Sequence, residues 1–267
     1  MLETHGVDPD RRLGQNFVTD TNMLRRIVSL ADIGPDSHVL EIGPGIGCLT
    51  LALVEAGAAV TAIEKDPSLL PVLDDVLSSV PEPDRPHVVN GDALETDWEA
   101  LLSSRGDADS WKVVANLPYN VAVPIITGLL EGAPSVHSMW VMVQLEVAER
   151  ICATPGGRDI GVPSIRVGWF ADASIATTVP PEVFTPRPRV RSAVVELQRR
   201  EPPHPELDPQ AVFDLVGRAY RKRRKMLRSS LAGEVAPAVF EVAGIDPRNR
   251  PEELSVADWG RLAAAVS

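Results

Sequence analysis

Cysteine is scarce in this chain of 267 residues. Cys48 and Cys152 cannot make a disulfide framework or a four-thiolate metal site. Five histidines (His5, His38, His87, His137 and His204) are scattered, without the close pairing that zinc sites use. No apolar run approaches the ~20 residues of a membrane span. Met1–Asp10 has no basic-then-apolar signal pattern. A reducing cytoplasm is the default compartment. There is no internal repeat, and the proline-rich pieces are too short to be low complexity. What is present suits a packed, ordered protein: 44% hydrophobic and 24% charged residues.

Charge is unevenly placed. The chain has 26 basic and 37 acidic residues, a net −11 that would repel nucleic acid at long range. Between Thr185 and Arg228, however, stand 12 Lys/Arg against 5 Asp/Glu, a local +7 within a remainder of 14 basic and 32 acidic residues. A phosphate backbone responds to local density within a Debye length of roughly 8 Å. The global sum therefore hides one basic segment.

Residues 38–130 alternate short β-branched runs with helical stretches, the spacing of βαβ units. Strands are expected at His38–Ile42, Ala59–Ile63, His87–Asn90, Trp111–Ala115 and Ser138–Gln144, with helices at Cys48–Ala56 and Pro67–Ser79. That alternation implies an α/β fold with a mostly parallel sheet covered on both faces. Ile165–Ala176 reads as a long strand and Ser192–Gln198 as the last one. RREPPHPELDP (199–209) has four prolines and reads as a linker. Beyond it Gln210–Leu231, Glu234–Ala243 and Ser255–Val266 are helical in pattern, with Ser255 as an N-cap. The boundaries drawn are therefore 1–200 and a small all-helical 201–267.

Four signals carry chemistry. Glu41-Ile-Gly-Pro-Gly-Ile-Gly47 stands where a strand hands over to a helix, so glycines permit close backbone approach and the helix start offers free N–H groups. The dinucleotide spacing G-x-G-x-x-G fails, because Cys48 holds the third glycine position. E-x-G-x-G-x-G is the form of S-adenosylmethionine-dependent methyltransferases; an ordinary βα turn is the other reading. Glu64, 21 residues after Gly43, can accept ribose hydroxyls or be a solvated carboxylate beside Lys65. Asp92, after Gly91, can accept from an adenine amine or cap a turn.

Asn116-Leu-Pro-Tyr-Asn120, directly after a strand, is the sharpest of the four. The lone pair of an exocyclic adenine nitrogen is delocalised into the ring, so methylating it requires holding both N–H bonds on neutral acceptors. The Asn116 side chain and the carbonyl of Pro118 are two such groups, and Tyr119 offers a stacking face for a flipped base. A plain β-turn uses the same residue types.

With these motifs together, the sequence resembles the KsgA (RsmA) adenine dimethyltransferases of small-subunit ribosomal RNA. LGQNFVTD (13–20), EIGPGIGCLT, AIEKD, GDAL, NLPYNVAVPI, FTPRPRVRSAVVEL (184–197) and RKRRKMLRSSL (221–231) follow the family's order and spacing over nearly the whole chain. The resemblance implies a Rossmann-like class I S-adenosylmethionine-dependent methyltransferase fold with a small C-terminal helical domain. It implies transfer of two methyl groups to N6 of each of two adjacent adenosines near the 3′ end of 16S rRNA, in an immature 30S particle. Carried over by position, Asn16, Val18, Gly43, Glu64, Asp92 and Asn116 would hold the cofactor. Asn116 would also meet the target with Pro118, while Tyr119 and Phe184 would sandwich the base. Phe184 alone would read as core.

The seven Lys/Arg of Arg218–Arg228 would ordinarily be a solvated helix face. In this company Arg221, Lys222, Arg223, Arg224, Lys225 and Arg228, with Arg187, Arg189 and Arg191, are expected to contact phosphates. A monomer is expected. Two departures from the family stand out: Leu145 follows Gln144 where Q-K-E-V is common, and Arg191 replaces an Asp before S-A-V-V. Residues 154–160 receive no function. The rival readings are an Erm-type large-subunit rRNA methyltransferase and a mainly non-catalytic 30S assembly factor. A DNA adenine methyltransferase would more often show [DNS]-P-P-Y, which Leu117 breaks.

Overall fold

The computed structural model describes residues 15–105 and 110–266. Met1–Asp10 and the Leu13-Gly14 start of the N-terminal motif lie outside them. Contacts divide the chain into two units: Met1–Ala148 with Ser174–Gln198, and Glu149–Ala173 with Arg199–Ser267.

The strands, in chain order, are β1 (Phe17–Val18), β2 (His38–Ile42), β3 (Ala59–Glu64), β4 (His87–Asn90), β5 (Trp111–Asn116), β6 (Val136–Gln144), β7 (Ala171–Val179), β8 (Phe184–Thr185) and β9 (Ser192–Arg199). Seven of them form one sheet of order β4-β3-β2-β5-β6-β9-β7, and β1 pairs with β8 separately. From β4 to β6 every neighbouring pair is parallel; β9 runs antiparallel to β6. The chain steps outward from β2 through β3 to β4, then returns to the other side of β2 with β5. That reversal opens a crevice at the strands' C-terminal ends, where open α/β sheets bind ligands.

The first unit's helices are α1 (Thr21–Leu30), α2 (Cys48–Glu55), α3 (Leu70–Leu77), α4 (Trp98–Ser103) and α5 (Ala122–Gly132). Amphipathic spacing fixes α1: Met23, Leu24, Ile27 and Val28 face inward, and the Asp20 carboxylate accepts the Met23 N–H at 2.7 Å as its N-cap. Those side chains join Val39, Leu53, Val114, Met142 and Val194 in one apolar cluster. Each such side chain, fully buried, contributes about 1.5–3 kcal/mol.

Next in the chain, α6 (Leu145–Ile151) runs across the unit boundary. The second unit then holds α7 (Val162–Phe170), α8 (Pro209–Tyr220), α9 (Leu227–Ser230), α10 (Pro237–Val242) and α11 (Val256–Val266). Its core gathers Ile165, Trp169, Phe213, Val216, Phe240 and Trp259. Trp169 meets Phe213 edge-on at 6.2 Å between ring centroids. Ser255 caps α11 as expected: its Oγ accepts the Asp258 N–H at 3.1 Å while the Asp258 carboxylate accepts the Ser255 N–H at 2.8 Å.

Three expectations change. The segment expected as a strand from Ile165 is helix α7, and β7 starts only at Ala171. The helix expected over 210–231 ends at Tyr220; residues 221–225 are turn, and a short α9 follows. The helical unit also includes 149–173, so it is larger than the 201–267 drawn from composition.

Candidate active site

The crevice is an open cleft with about 880 Å³ of non-atom space, part of it solvent. The ends of β2, β3, β4 and β5, with residues 15–17, line it. After β2 the backbone turns through Gly43, Gly45 and Gly47, each with positive φ (69°, 58° and 82°). Gly45 has the firmest requirement: a Cβ there would lie 2.6 Å from Cε1 of the Phe17 ring. Glycine thus lets the 15–18 segment lie down on the loop.

Glu64 ends β3 and is 6% exposed. Its two carboxylate oxygens accept the Gly45 N–H at 3.0 Å and the Asp66 N–H at 2.8 Å. Burial pushes its carboxyl above the ordinary value, against those two bonds. Glu41, the first residue of the glycine motif, is 1% exposed, and burial raises its carboxyl from 4.5 to about 8, with the Thr50 hydroxyl lowering and Glu64 raising it. Asp92 accepts the Leu94 N–H at 3.0 Å and the Lys65 ammonium at 2.6 Å. Bonding to Lys65 holds the Asp92 carboxyl below its ordinary value.

Asn116, the last residue of β5, donates its side-chain N–H to the Asn16 carbonyl at 2.7 Å. That bond settles which end of the amide is committed. Its Oδ1 is buried and has no hydrogen-bond partner. A buried acceptor left unpaired costs roughly 1–3 kcal/mol, so it marks a place for an incoming donor. The Pro118 carbonyl accepts the Val121 N–H at 3.2 Å and retains a second lone pair. Tyr119 lines the cleft, its hydroxyl 2.8 Å from Ser192 Oγ; burial raises the phenol's pKa, so it is protonated at neutral pH.

Of the expected site residues, Asn16, Gly43, Glu64, Asp92, Asn116, Pro118 and Tyr119 line this one cleft. Val18 and Phe184 do not. They face each other across the β1–β8 pairing and are 5% and 3% exposed, packed in the cluster under α1. A two-residue antiparallel pairing turns both side chains into that core. Four contributors escaped the sequence reading: Phe17 against Gly45, Gln15 donating to Asp66 at 2.7 Å, Lys65 on Asp92, and Ser192 under Tyr119. Only the first had a signal, a ring inside a motif whose partner loop is glycine-rich.

The basic residues fall in both units. Arg187, Arg189 and Arg191 are exposed on the loop before β9; Arg187 pairs with Glu182, and Arg191 donates to Thr178 Oγ1 at 3.0 Å. In the helical unit Arg218 pairs with Glu234 and Arg223 with Glu252, each at 2.6 Å, and Arg223 also donates to the Arg158 carbonyl at 2.6 Å. Arg221, Lys222, Arg224, Lys225 and Arg228 are exposed. No group of His, Cys, Asp and Glu able to hold a metal occurs among the described residues, and no described helix is long and apolar enough to cross a membrane.

Comparison with known proteins identifies the family. The family model for ribosomal RNA adenine dimethylase matches residues 8–266. The chain is 45% identical over 264 residues to the ribosomal RNA small subunit methyltransferase A of Kineococcus radiotolerans, covering 97% of this chain and 86% of that protein. Its counterpart in Cutibacterium acnes is 43% identical, at 98% and 90% coverage. Among solved structures, the 23S rRNA methyltransferase ErmE superposes with a TM-score of 0.67 at 26% identity, covering 94% of this chain and 99% of that one. A dimethyladenosine transferase from Plasmodium falciparum shares the fold, with a TM-score of 0.77 at 23% identity and coverages of 92% and 95%. Matched over nearly its whole length, this Rossmann-like enzyme belongs to the ribosomal RNA adenine dimethylase family.

Proposed function

We propose that the cleft binds S-adenosylmethionine and that the enzyme methylates N6 of two adjacent adenosines near the 3′ end of small-subunit rRNA, within an immature 30S particle. One observation carries the reading: a buried, unpartnered Asn116 Oδ1 at the end of β5, beside the carbonyl of Pro118.

The residues present fit that cofactor. A Cβ on Gly43 would meet nothing within 4 Å, so the loop leaves room for a ligand against its backbone. Glu64 presents a carboxylate whose oxygens are fixed by backbone donors and retain lone pairs for ribose hydroxyls. Asp92 offers the same to an adenine amine, and Asn16 closes the methionine side. When bound, the cofactor supplies an electrophilic methyl on a sulfonium, so the protein's part is orientation and exclusion of water.

Asn116 Oδ1 and the free lone pair of the Pro118 carbonyl accept the two N–H bonds of the target amine, turning its lone pair out of the ring plane. Tyr119 stacks on the flipped base. The nitrogen becomes acidic as it is alkylated and its proton leaves to solvent, so no strong base is required. Val18 and Phe184 act from beneath, as the packed pair that seats the 15–18 segment. Arg187, Arg189, Arg191, Arg221, Lys222, Arg224, Lys225 and Arg228 contact phosphates, while Arg218 and Arg223, ion-paired within the helical unit, serve mainly that unit's own structure.

The test is to map N6,N6-dimethyladenosine after incubating the purified enzyme with S-adenosylmethionine and undermethylated 30S particles. Two adjacent dimethyladenosines near the 3′ end are expected. Methylation of large-subunit RNA alone, or particle binding with no methylation, would overturn the proposal.

A further inference from the structure

Base stacking uses the ring of Tyr119 and gives its hydroxyl no part. That hydroxyl lies 2.8 Å from Ser192 Oγ, joining residues 73 apart in sequence. The two partners differ in freedom. Ser192 is fully buried, opens β9, and pairs with Gln144 of β6. Just before it the Arg191 carbonyl accepts the Leu145 N–H at 3.0 Å, which pins the backbone from the other side. Tyr119 sits in the loop beyond β5 and is only half-buried.

A stacking ring has a particular difficulty. One of its faces must stay open for the base, so packing cannot clamp the ring from both sides. The para oxygen is the remaining handle, and a bond there fixes both the reach of the ring and the tilt of its plane. We infer that Ser192 is a positioning residue: it holds Tyr119 at the angle that stacks on the target adenine, and so sets the rate of methyl transfer. The inference rests on the stacking role of Tyr119 proposed above.

A purely structural Ser192, satisfying a buried hydroxyl and nothing more, would change stability and leave transfer alone. The two cases separate in a double-mutant cycle on single-turnover methyl transfer to undermethylated 30S particles. The set comprises Tyr119→Phe, Ser192→Ala, the double variant and Tyr119→Ala. Tyr119→Phe removes the same bond from the half-buried side, which guards against a folding defect at buried Ser192. Each single hydroxyl deletion is expected to slow transfer about fivefold, the worth of one ordinary hydrogen bond, and the double variant no further. Calorimetric affinity for S-adenosylhomocysteine is expected to stay at the wild-type value in Ser192→Ala. Wild-type transfer by Ser192→Ala alongside an inactive Tyr119→Ala would overturn the inference and leave stacking intact. A double variant slowed about 25-fold, the product of independent effects, would also overturn it. Wild-type transfer by Tyr119→Ala would overturn the stacking role itself, and this inference with it.

Discussion

The cleft and the basic stretches both offer polar groups to a ligand, but they are built oppositely. In the cleft the groups are few and tied down: Glu64 by two backbone N–H groups, and Asn116 by the Asn16 carbonyl. On the turn at 221–225 the groups are many, and four of its five cations are exposed to solvent. Chemistry at a single nitrogen depends on fixed geometry, whereas a phosphate backbone responds mostly to how many charges face it. Losses in the cleft should therefore be steep and individual, and losses among the cations shallow and cumulative.

The steepest break should come from Asn116→Ala, with transfer falling about a hundredfold or more while the unfolding midpoint stays near wild type. Near-normal turnover there would dissolve the contrast. Gly45→Ala comes next. A Cβ 2.6 Å from the Phe17 ring, at a φ of 58°, should cost about 1–3 kcal/mol in denaturant unfolding, and should slow transfer about tenfold by displacing the segment that holds Asn116.

Glu41→Gln tests burial by itself. With its carboxyl raised from 4.5 to about 8, the folded protein keeps a proton that the unfolded chain releases between those values. Stability should fall as pH rises through that window, and Gln should flatten the slope in urea unfolding at pH 5 and pH 8. On the other side of the comparison, Arg224→Gln with Lys225→Gln should weaken particle binding only several-fold near 0.15 M salt. The slope of log affinity against log salt should drop by about 0.7 per charge removed. Loss of transfer as severe as that of Asn116→Ala would erase the distinction between the two regions.

Lys65→Met should have the smallest effect. Lys65 holds the Asp92 carboxyl low, so the wild-type carboxylate stays charged into more acidic solution. Without it, the acid limb of S-adenosylhomocysteine binding should move to higher pH, visible by calorimetry between about pH 3 and pH 6.

The parallel strands were legible because short β-branched runs between glycine turns have few other structures open to them. Gly43, Glu64, Asp92 and Asn116 were legible because each ends or follows such a run, whereas Asn16 precedes the first strand and was legible only through the family's motif. Helix α7 was not. Its buried Ile165, Val167 and Trp169 alternate like a strand's residues, yet the Gly161 N–H donates to Ser164 Oγ at 2.8 Å and Pro163 stands in the first turn, where a helix accepts it. Periodicity misleads where a helix is buried on more than one side. The break after Tyr220 was hidden for another reason. Five successive cations set like charges at i and i+4, and tertiary partners complete the break: Arg223 bonds Glu252, and the Leu227 N–H donates to the Asn249 carbonyl at 2.7 Å. Phe184 shows a third limit, since a motif names a residue without saying which way a two-residue strand will turn it.

The division of the chain bears on the order in which the protein can assemble as it is made. The helical unit is drawn from two separate stretches, and the sheet unit is completed only by 174–198, which lies between them. A chain emerging from its N-terminus thus produces α7 before the sheet has received β9, and Trp169 waits for Phe213 before it has an edge-on partner. The sheet unit has all its residues once Gln198 has emerged, whereas the helical unit must hold 149–173 until the stretch from Arg199 onward follows. The molecule is two units by contact but an interleaved pair by synthesis, and truncation near residue 200 would leave an apolar helix without the core it was made to enter.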